Sequence, residues 1–235
     1  MDMKQEKLAD NYSQNVASKY SRMQNNRIKI DISPFQTIKK LGIKDKTILD
    51  FGCGDGSYSK KFIEERAKKV IGIDNSSSMI QIAKVKHSDP SIEYFKQDGA
   101  KLLLPKNSFD LVFASYVLQN FKNATVPLKQ IYKVLKQGGY LVAIVPITLL
   151  KPKNEKLANT IIKICIEKKI TINVYIKTDK ELQSNIKKAG FSIEKVKKED
   201  NPLAEVEGKY KSKIKAYKSN IYVAQKPAKE GIYHH

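Results

Sequence analysis

A glycine-rich loop preceded by an acidic residue is the part of this sequence best suited to bind a ligand. The run Ile48–Ser57, ILDFGCGDGS, joins an apolar strand pattern to a helix pattern through glycines at positions 52, 54 and 56. Glycines let the backbone approach a ligand closely, because no side chain intervenes. The spacing is G-x-G-x-G, whereas dinucleotide sites use G-x-G-x-x-G. Asp50 would repel a pyrophosphate and suits an ammonium group, so this loop argues against a nicotinamide dinucleotide.

A second carboxylate stands at the end of the next strand pattern. Asp74 closes the run VIGID, 18 residues beyond Gly56. At this place a carboxylate can accept hydrogen bonds from ribose hydroxyls. It could equally cap the helix pattern that follows, for which Ser76 is another candidate cap. The residues alone leave both roles open.

These residues need strands whose ends lie together, and the sequence from about Lys46 onward predicts them. Short apolar runs alternate with amphipathic stretches, which is typical of βαβ units and a parallel sheet. The predicted strands are Thr47–Phe51, Lys69–Ile73, Ile92–Lys96, Phe109–Ser115, Tyr140–Pro146, Phe191–Val196 and Asn220–Gln225. The predicted helices are Ser57–Lys68, Ser77–Val85, Val126–Lys136 and Asp179–Ala189. Gly138 and Gly139 are expected to stop the third of these helices.

Two segments lie outside that pattern and suggest the domain organisation. Residues 1–40 carry Tyr12, Val16 and Tyr20 at helical spacing, which predicts a helix packed across a domain of residues 41–235. Residues 147–177 form an insertion, for which we expect a helix around Leu157–Ile166 and a short strand at ITINVYI.

Composition limits the class of protein. The 235 residues suit one large α/β domain, and 41% of them are hydrophobic. The start lacks the apolar region of a secretory signal, and the run Tyr140–Leu150 is too short for a membrane helix. Two cysteines are too few for a disulfide framework. We therefore expect a reduced, cytoplasmic protein without membrane contact.

The net charge of +20 is the unusual feature of the composition. Basic residues number 44, yet the only arginines are Arg22, Arg27 and Arg66, and the lysines are spread along the chain. Arginine is preferred for bidentate contacts to phosphates and bases. We interpret the charge as solvated surface, with a binding site for a polyanion as the alternative.

The motifs in their order closely resemble the Rossmann-like (class I) S-adenosylmethionine-dependent methyltransferases. The resemblance runs from about Tyr20 to Gly139 and more loosely to Gln225, and its parts are ILDFGCGDG, GIDNSSSMIQIAK, FKQDGAKLLLPKNSFDLVFASYVLQNF and LKQGGYLVAIVP. The run TDKELQSNIKKAGF resembles a late helix of the small-molecule members. The resemblance implies an α/β fold with a doubly wound, mostly parallel seven-stranded sheet, an N-terminal helical lid and a small substrate cap after strand five.

The resemblance also implies a cofactor, S-adenosyl-L-methionine, with S-adenosyl-L-homocysteine as product, and roles for particular residues. Asp50 would steer the methionine amino group, and Asp74 would hold the ribose hydroxyls. Tyr20 would belong to the lid, and either Arg22 or Arg27 would pair with the cofactor carboxylate. The other implied contacts are Gly52, Cys53 and Gly54 in the loop, Asn75, Met79, Asp98 and Gly99 around the adenine, and Ser115 beside the methionine arm. Family members usually have an apolar residue where Asn75 stands. Tyr20 and Met79 could also be ordinary core, and Arg27 could be solvated.

The acceptor side departs from a pattern common in the family. Many relatives place histidines after strand four, whereas this chain reads Val117-Leu118-Gln119-Asn120. The residues left to position an acceptor are Tyr116, Gln119 and Asn120, or Tyr12 and Tyr20 from the lid. An acceptor that is already nucleophilic, such as a carboxylate, thiolate or neutral amine, fits this set. We expect no metal, and the terminal pair His234 and His235 resembles a tag remnant.

Three hypotheses of different classes follow. The first is a methyltransferase for a small-molecule acceptor, which could be anionic. The second is an RNA or protein methyltransferase, suggested by the charge and by the basic segment Lys209–Lys218. Against it, SYVL stands where base-methylating relatives keep an N/D-P-P-Y/F tetrapeptide. The third is a non-catalytic binding subunit, which the intact loop and both aspartates argue against. The oligomeric state stays open.

Overall fold

The computed structural model describes residues 17–18, 21, 32–148, 161–167, 170–175, 177–199, 205–206 and 217–228 of the chain. Its helices are α1 (Ile32–Lys40), α2 (Ser57–Glu64), α3 (Ser77–Lys86), α4 (Thr125–Val134) and α5 (Asp179–Lys188). Its strands are β1 (Thr47–Phe51), β2 (Lys69–Asp74), β3 (Ile92–Lys96), β4 (Phe109–Ser115), β5 (Leu135–Thr148), β6 (Ile161–Glu167), β7 (Ile170–Tyr175), β8 (Ser192–Glu199), β9 (Glu205–Val206) and β10 (Tyr217–Gln225). One turn of 3-10 helix, Leu118–Asn120, follows β4.

Seven strands form a central sheet in the order β3-β2-β1-β4-β5-β10-β8. The pairs from β3 across to β5 are parallel, and β10 runs antiparallel to both of its neighbours. The predicted α/β class with a mostly parallel seven-stranded sheet is therefore confirmed.

The sheet is covered on both faces, and the strand sequences explain why. Successive side chains of a strand point to opposite faces. Accordingly Ile48 and Leu49 belong to two different buried clusters, as do Leu111 and Val112. One cluster includes apolar residues of α4 and α5, and the other includes those of α1, α2 and α3. Continuous apolar strands buried on both sides are the signature of a doubly wound sheet.

Three candidate site residues meet at one edge of this sheet. Asp50 is the penultimate residue of β1, Asp74 is the last residue of β2, and Ser115 is the last residue of β4. Because β1 pairs in parallel with both β2 and β4, their carboxyl ends lie side by side. Chain order reverses between β1 and β4, and open α/β sheets bind ligands at such a switch point.

Two helices end at least two residues before the predicted position. Helix α2 ends at Glu64 and not at Lys68, since Arg66 has a left-handed φ of +67° that a helix cannot continue through. The expectation that Gly138 and Gly139 stop α4 is wrong. The helix already ends at Val134, and Leu135 is extended and pairs with Phe109 of β4, so both glycines lie inside β5.

The insertion contributes two strands of a small sheet, and one of them replaces part of the predicted helix. Strands β7, β6 and β9 form a three-stranded sheet in that order, and β6 pairs antiparallel with both neighbours. The helix expected around Leu157–Ile166 is therefore wrong over residues 161–166, whereas the strand expected at ITINVYI is confirmed as β7. The alternation of isoleucine with other residues in IKICIE has the period of a strand, and β-branched residues favour strands.

The described part of the N-terminal segment is helical. Ala17, Ser18 and Ser21 have helical conformation, and α1 follows. The remainder of the predicted lid, including Tyr12, lies outside the described residues. None of the described helices is long and apolar enough to cross a lipid bilayer.

Candidate functional site

The loop after β1 folds back onto β2 and leaves open space at one glycine. The amides of Gly52 and Cys53 both donate to the carbonyl oxygen of Ile73, at 2.8 and 2.9 Å. Gly52 has φ +76°, and a Cβ there would stand 2.7 Å from the Val117 side chain. Gly54 has φ +55°, and a Cβ there would meet no heavy atom within 4 Å. Gly52 is therefore needed for packing, whereas Gly54 borders empty space that a ligand could fill.

Asp74 connects this loop to the end of β2. Its Oδ2 accepts from the Gly54 amide at 3.0 Å, and its Oδ1 accepts from the Ser76 amide at 2.8 Å. The N-cap of α3 is Ser76, whose hydroxyl accepts from the Met79 amide at 3.4 Å. The capping role left open for Asp74 thus belongs to Ser76. A carboxylate has about four lone-pair sites and can accept from several donors at once.

Asp50 is a buried carboxyl that accepts a hydrogen bond from a neutral hydroxyl group. Its side chain is 2% exposed, and the Ser59 hydroxyl donates to Oδ2 at 2.6 Å. Burial raises the pKa of Asp50 from its ordinary 3.8 to about 7; the Ser59 hydrogen bond opposes the rise, and the charges of Asp74 and Asp55 add to it. Burial, with the same carboxylates, also raises the pKa of the Cys53 thiol well above its usual range, so Cys53 stays protonated.

The loop region is therefore chemically matched to a cation. Asp50, Asp55 and Asp74 each raise the cost of ionising their neighbours, and a positively charged ligand group beside them would offset that repulsion. A ligand with an ammonium group and ribose hydroxyls fits these carboxylates together with the space at Gly54. This is the fit expected for S-adenosylmethionine.

Asp55 was not among the predicted site residues, yet it joins the loop to the N-terminal segment. It is 2% exposed, and its Oδ2 accepts from the Ser21 hydroxyl at 2.5 Å. Lys86 at the end of α3 donates to the Ser21 hydroxyl at 2.6 Å and lies 3.6 Å from Asp55. A serine, an aspartate and a lysine far apart in sequence carry no pattern that could have predicted this contact.

Tyr94 was not among the predicted site residues either, and its side chain packs against Gly56 of the loop and Gly72 of β2. A Cβ on Gly56 would stand 2.5 Å from the Tyr94 hydroxyl, and one on Gly72 would stand 2.6 Å from its ring. The hydroxyl lies 3.4 Å from the Gly56 carbonyl oxygen. Alternation in β3, where Ile92 and Tyr94 are buried and Glu93 is exposed, was the signal that could have found it.

The residues predicted around the adenine divide into buried and accessible groups. Met79 is 1% exposed, whereas Asn75 is exposed. Asp98 accepts from the Ala100 amide at 3.0 Å, and the preceding Gln97 amide donates to the Asp74 carbonyl oxygen at 3.0 Å. That bond places Asp98 beside the end of β2. A Cβ on Gly99 would stand 2.4 Å from the Phe51 ring, so glycine is required there.

The segment after β4 contains one residue with a strained backbone and is held by several hydrogen bonds. Tyr116 has a left-handed φ of +52°, which is unusual for a bulky side chain and is found more often at functional sites. Its amide donates to the Ile144 carbonyl oxygen at 2.8 Å, and its hydroxyl lies 2.8 Å from that of Ser219. The Gln119 side-chain amide donates to the Tyr116 carbonyl oxygen at 2.6 Å. Half-buried Ser115 precedes this turn, and Asn120 ends the 3-10 helix.

The structure therefore brings most of the predicted residues together. Asp50, Gly54 and Asp74 lie at one edge of the sheet, and Val117, which packs against Gly52, brings the segment Tyr116–Asn120 next to the loop. Tyr20, Arg22 and Arg27 lie outside the described residues. Among the described residues, no group of three or more His, Cys, Asp or Glu is arranged to hold a metal ion.

Comparison with known proteins finds a family model that matches the centre of the chain. Residues 49–143 match the model of a methyltransferase domain. The demethylmenaquinone methyltransferase of Lactococcus lactis is 36% identical over 120 residues, which cover 48% of this chain and 48% of that protein. The one from Oceanobacillus iheyensis is 32% identical over 145 residues, covering 56% of this chain and 58% of that protein. The chain thus spans about half the length of the curated relatives that it matches.

The fold extends over more of the chain. The S-adenosylmethionine dependent methyltransferase from Mesorhizobium loti superimposes with a TM-score of 0.59 at 19% identity, over 78% of this chain and 92% of that one. At this identity the likeness establishes the shared fold, and the resemblance predicted from the motifs is confirmed.

Proposed function

We propose that this chain, whose residues 49–143 are those of a Rossmann-like methyltransferase domain, transfers a methyl group from S-adenosylmethionine to a small-molecule acceptor. The observation that carries the proposal is the contact between Gly54 and Asp74 beside the open space at Gly54, with the buried Asp50 next to it. Together they offer hydrogen-bond acceptors for hydroxyls and negative charge for an ammonium group. S-adenosylmethionine carries both.

Each part of the cofactor site has its own task. Asp74 would accept from the ribose hydroxyls, and Asp50 would balance the ammonium charge across the loop. Asp98 and Gly99 would border the adenine, and Ser115 would border the methionine arm. When bound, the cofactor supplies a methyl group on a positively charged sulfur. Tyr20 and Arg27 are proposed for the same site from the sequence alone.

On the acceptor side, the protein's contribution is alignment. An in-line methyl transfer needs the nucleophile held on the axis of the breaking bond, and such positioning is worth roughly 7–11 kcal/mol in favourable cases. Tyr116, Gln119 and Asn120 are proposed for this task, since their backbone is fixed by the hydrogen bonds of Tyr116 to Ile144 and Gln119. The described residues after β4 include no histidine, so deprotonation by histidine is not part of the proposal.

We place the cover of the acceptor pocket in the N-terminal lid, residues 1–40, and the cap insertion, residues 147–177, of a domain spanning residues 41–235. Two contacts support this: Ser21 reaches Asp55 in the glycine loop, and β7 packs against the 3-10 helix that carries Gln119 and Asn120. The curated relatives are named for demethylmenaquinone, a small molecule, which supports a small acceptor here. The net charge of +20 is the remaining observation in favour of RNA or protein as the acceptor. A cytoplasmic location stays a prediction from the sequence.

Calorimetric titration with S-adenosylmethionine and S-adenosylhomocysteine tests the proposal. Micromolar binding to the wild type, weakened about tenfold or more by Asp74→Ala, would support it; tenfold corresponds to about 1.4 kcal/mol. Asp110→Ala is the matched control, because this carboxylate also accepts a backbone amide, that of Thr47 at 2.9 Å, but lies at the start of β4 on the opposite edge of the sheet. No binding to the wild type would contradict the proposal.

A further inference from the structure

Three buried oxygen atoms without a hydrogen bond occur in the described part of the chain. They are Oε1 of Gln119, Oδ1 of Asn120 and Oε2 of Glu181. No buried side-chain donor there lacks a partner. Burying a polar atom without a partner costs free energy, and native proteins leave few such atoms. All three unpaired atoms are therefore hydrogen-bond acceptors.

The three atoms lie in segments that contact one another, and we call this region the seam: the 3-10 helix Leu118–Asn120, β7 and residues 177–181. Gln119 and Asn120 lie in the 3-10 helix, against which β7 packs. Just beyond β7, the ammonium of Lys177 donates to the carbonyl oxygen of Lys122, two residues after Asn120, at 2.7 Å and to Oε1 of Glu181 at 3.3 Å. Lys177 thus joins the segment that carries the two amides to the segment that carries the carboxylate.

The orientation of the Gln119 amide is fixed by its neighbour. Its nitrogen lies 2.6 Å from the carbonyl oxygen of Tyr116, which can only accept a hydrogen bond. Turning the amide over would bring two oxygens together, so Oε1 must be the atom without a partner. The open acceptor at Gln119 is consequently a property of the fold and not of the assignment of nitrogen and oxygen.

Glu181 offsets the charge of the buried Lys177. Its amide donates to the Thr178 hydroxyl at 3.2 Å, which is one half of a capping box. In a complete box its side chain would turn back to the Thr178 amide. Instead, one carboxylate oxygen faces Lys177 and the other has no partner. The ammonium of Lys177 is therefore already engaged by the Glu181 carboxylate and by the carbonyl oxygen of Lys122.

On the basis of the proposed function, we propose that the methyl acceptor enters this seam and donates hydrogen bonds from hydroxyl or N–H groups to Gln119 Oε1 and Asn120 Oδ1. Molecules with such donors and no negative charge are the substrate class: carboxylates and phosphates bring only acceptors to these oxygens, and the charge of Lys177 is already offset by Glu181. This replaces the anionic acceptor that the sequence left open. Because the oxygens are closed off from solvent, β7 and Lys177 must separate from the 3-10 helix to admit the acceptor.

If these oxygens had only a structural role, substituting them would not change acceptor binding. Asn120→Leu keeps the volume and removes the unpaired acceptor, so it is expected to raise the melting temperature of the free protein. If the oxygen serves the acceptor, the same change must weaken acceptor binding, and the two effects have opposite signs. Asn185→Leu is the matched control. Its Oδ1 already accepts from the Thr125 hydroxyl at 3.0 Å, so the change should lower the melting temperature and leave binding unaffected.

The experiment measures binding of three probes to the complex with S-adenosylhomocysteine, by ligand-detected NMR. The probes are catechol, which has two hydroxyl donors, its dimethyl ether 1,2-dimethoxybenzene, which has none, and benzoate, which is an anion. We expect catechol to bind at least about tenfold more tightly than either of the others, and Asn120→Leu to remove most of that preference. Asn120→Ala is the second variant should the leucine variant not fold.

The outcomes separate this inference from the proposed function. If S-adenosylhomocysteine binds but catechol binds no better than its ether, or if benzoate binds best, the inference is overturned and the proposed function stands. An unchanged catechol preference in the Asn120 variants also overturns it. If S-adenosylhomocysteine itself does not bind, the proposed function fails and the inference falls with it.

Discussion

The backbone amide of Gly54 donates to Oδ2 of Asp74 at 3.0 Å, although the two residues are 20 positions apart in the sequence. One carboxylate therefore both holds the glycine loop in place and stands at the edge of the space that the loop leaves open. The same carboxylate accepts from Ser76 at the start of α3, so β1, β2 and α3 are joined at a single side chain. This relationship explains how a loop of small residues can be rigid enough to bind a ligand.

Asp50 predicts a pH dependence of cofactor binding. Its pKa of about 7 means that the free protein holds a neutral carboxyl below pH 7, and an ammonium group is stabilised only by the ionised form. Affinity for S-adenosylhomocysteine should therefore fall by up to about tenfold per pH unit as the pH is lowered below 7, and level off above pH 8. Calorimetry between pH 5.5 and about pH 8.5 measures this. Asp50→Asn should bind more weakly at pH 8 and lose the slope.

Asp50 also affects stability, with the opposite sign. The unfolded chain releases this proton near the ordinary pKa of 3.8, whereas the folded protein retains it up to about 7. The contribution of Asp50 to the free energy of unfolding of the free protein therefore falls as the pH rises from about 4 to about 7, and it is constant above about pH 7. Urea unfolding of wild type and Asp50→Asn across this range checks the sign. A wild-type affinity independent of pH, or identical pH slopes for both proteins, would contradict the role given to Asp50.

Tyr94 is predicted to support the glycine loop through its ring rather than its hydroxyl. The hydroxyl contacts to the carbonyl oxygens of Gly56 and His87 are long at 3.4 Å, and the Ser59 side chain is a further partner, so Tyr94→Phe should cost about 1 kcal/mol. Tyr94→Ala empties the space beneath Gly56 and Gly72 and should lower the free energy of unfolding by about 3–5 kcal/mol. Urea unfolding compares them, and equal losses in both variants would mean that the ring is not the support.

Lys226 is predicted to stabilise the end of α4. It is 4% exposed, and its ammonium donates to the carbonyl oxygens of Tyr132 and Leu135 at 2.9 and 2.7 Å and to Asn107 Oδ1 at 2.9 Å. Lys226→Met leaves these oxygens without that donor and should lower the free energy of unfolding by about 2–4 kcal/mol. Lys188→Met, on the exposed last turn of α5, should change it by less than about 0.5 kcal/mol. If the two variants unfold alike in urea, Lys226 does not have this role.

The sequence predicted where the strands of the central sheet lie along the chain and the position of Asp50, Gly54 and Asp74, because these depend on local patterns. A buried parallel strand reads as an apolar run, and its end is marked by the first polar or glycine residue. The alternation in β3 indicates that Tyr94 is buried but not that it supports the glycine loop, and Asp55 was missed because its role depends on contacts between distant segments. Asp55 has its role only through Ser21 and Lys86, and no local pattern indicates such partners.

The errors have equally local causes. Gly138 and Gly139 look like a helix stop, yet the pairing of Leu135 with Phe109 extends β5 backwards through them. In the insertion, a helix was expected around Leu157–Ile166 although β-branched isoleucines at alternate positions favour a strand. The unpaired oxygens of Gln119 and Asn120 could not be foreseen, since a sequence shows which side chains can accept but not which find a donor.

The most direct test of the cofactor site compares two glycines with the same backbone geometry. Gly54 and Gly138 both have positive φ, +55° and +74°, and a Cβ on either would meet no heavy atom within 4 Å. Alanine at each should therefore cost similar stability, but only Gly54 borders the proposed site. We predict that Gly54→Ala weakens S-adenosylhomocysteine binding in calorimetry by about tenfold or more, equivalent to about 1.4 kcal/mol, and that Gly138→Ala leaves it unchanged. Equal affinities of both variants and the wild type would contradict the cofactor site proposed here.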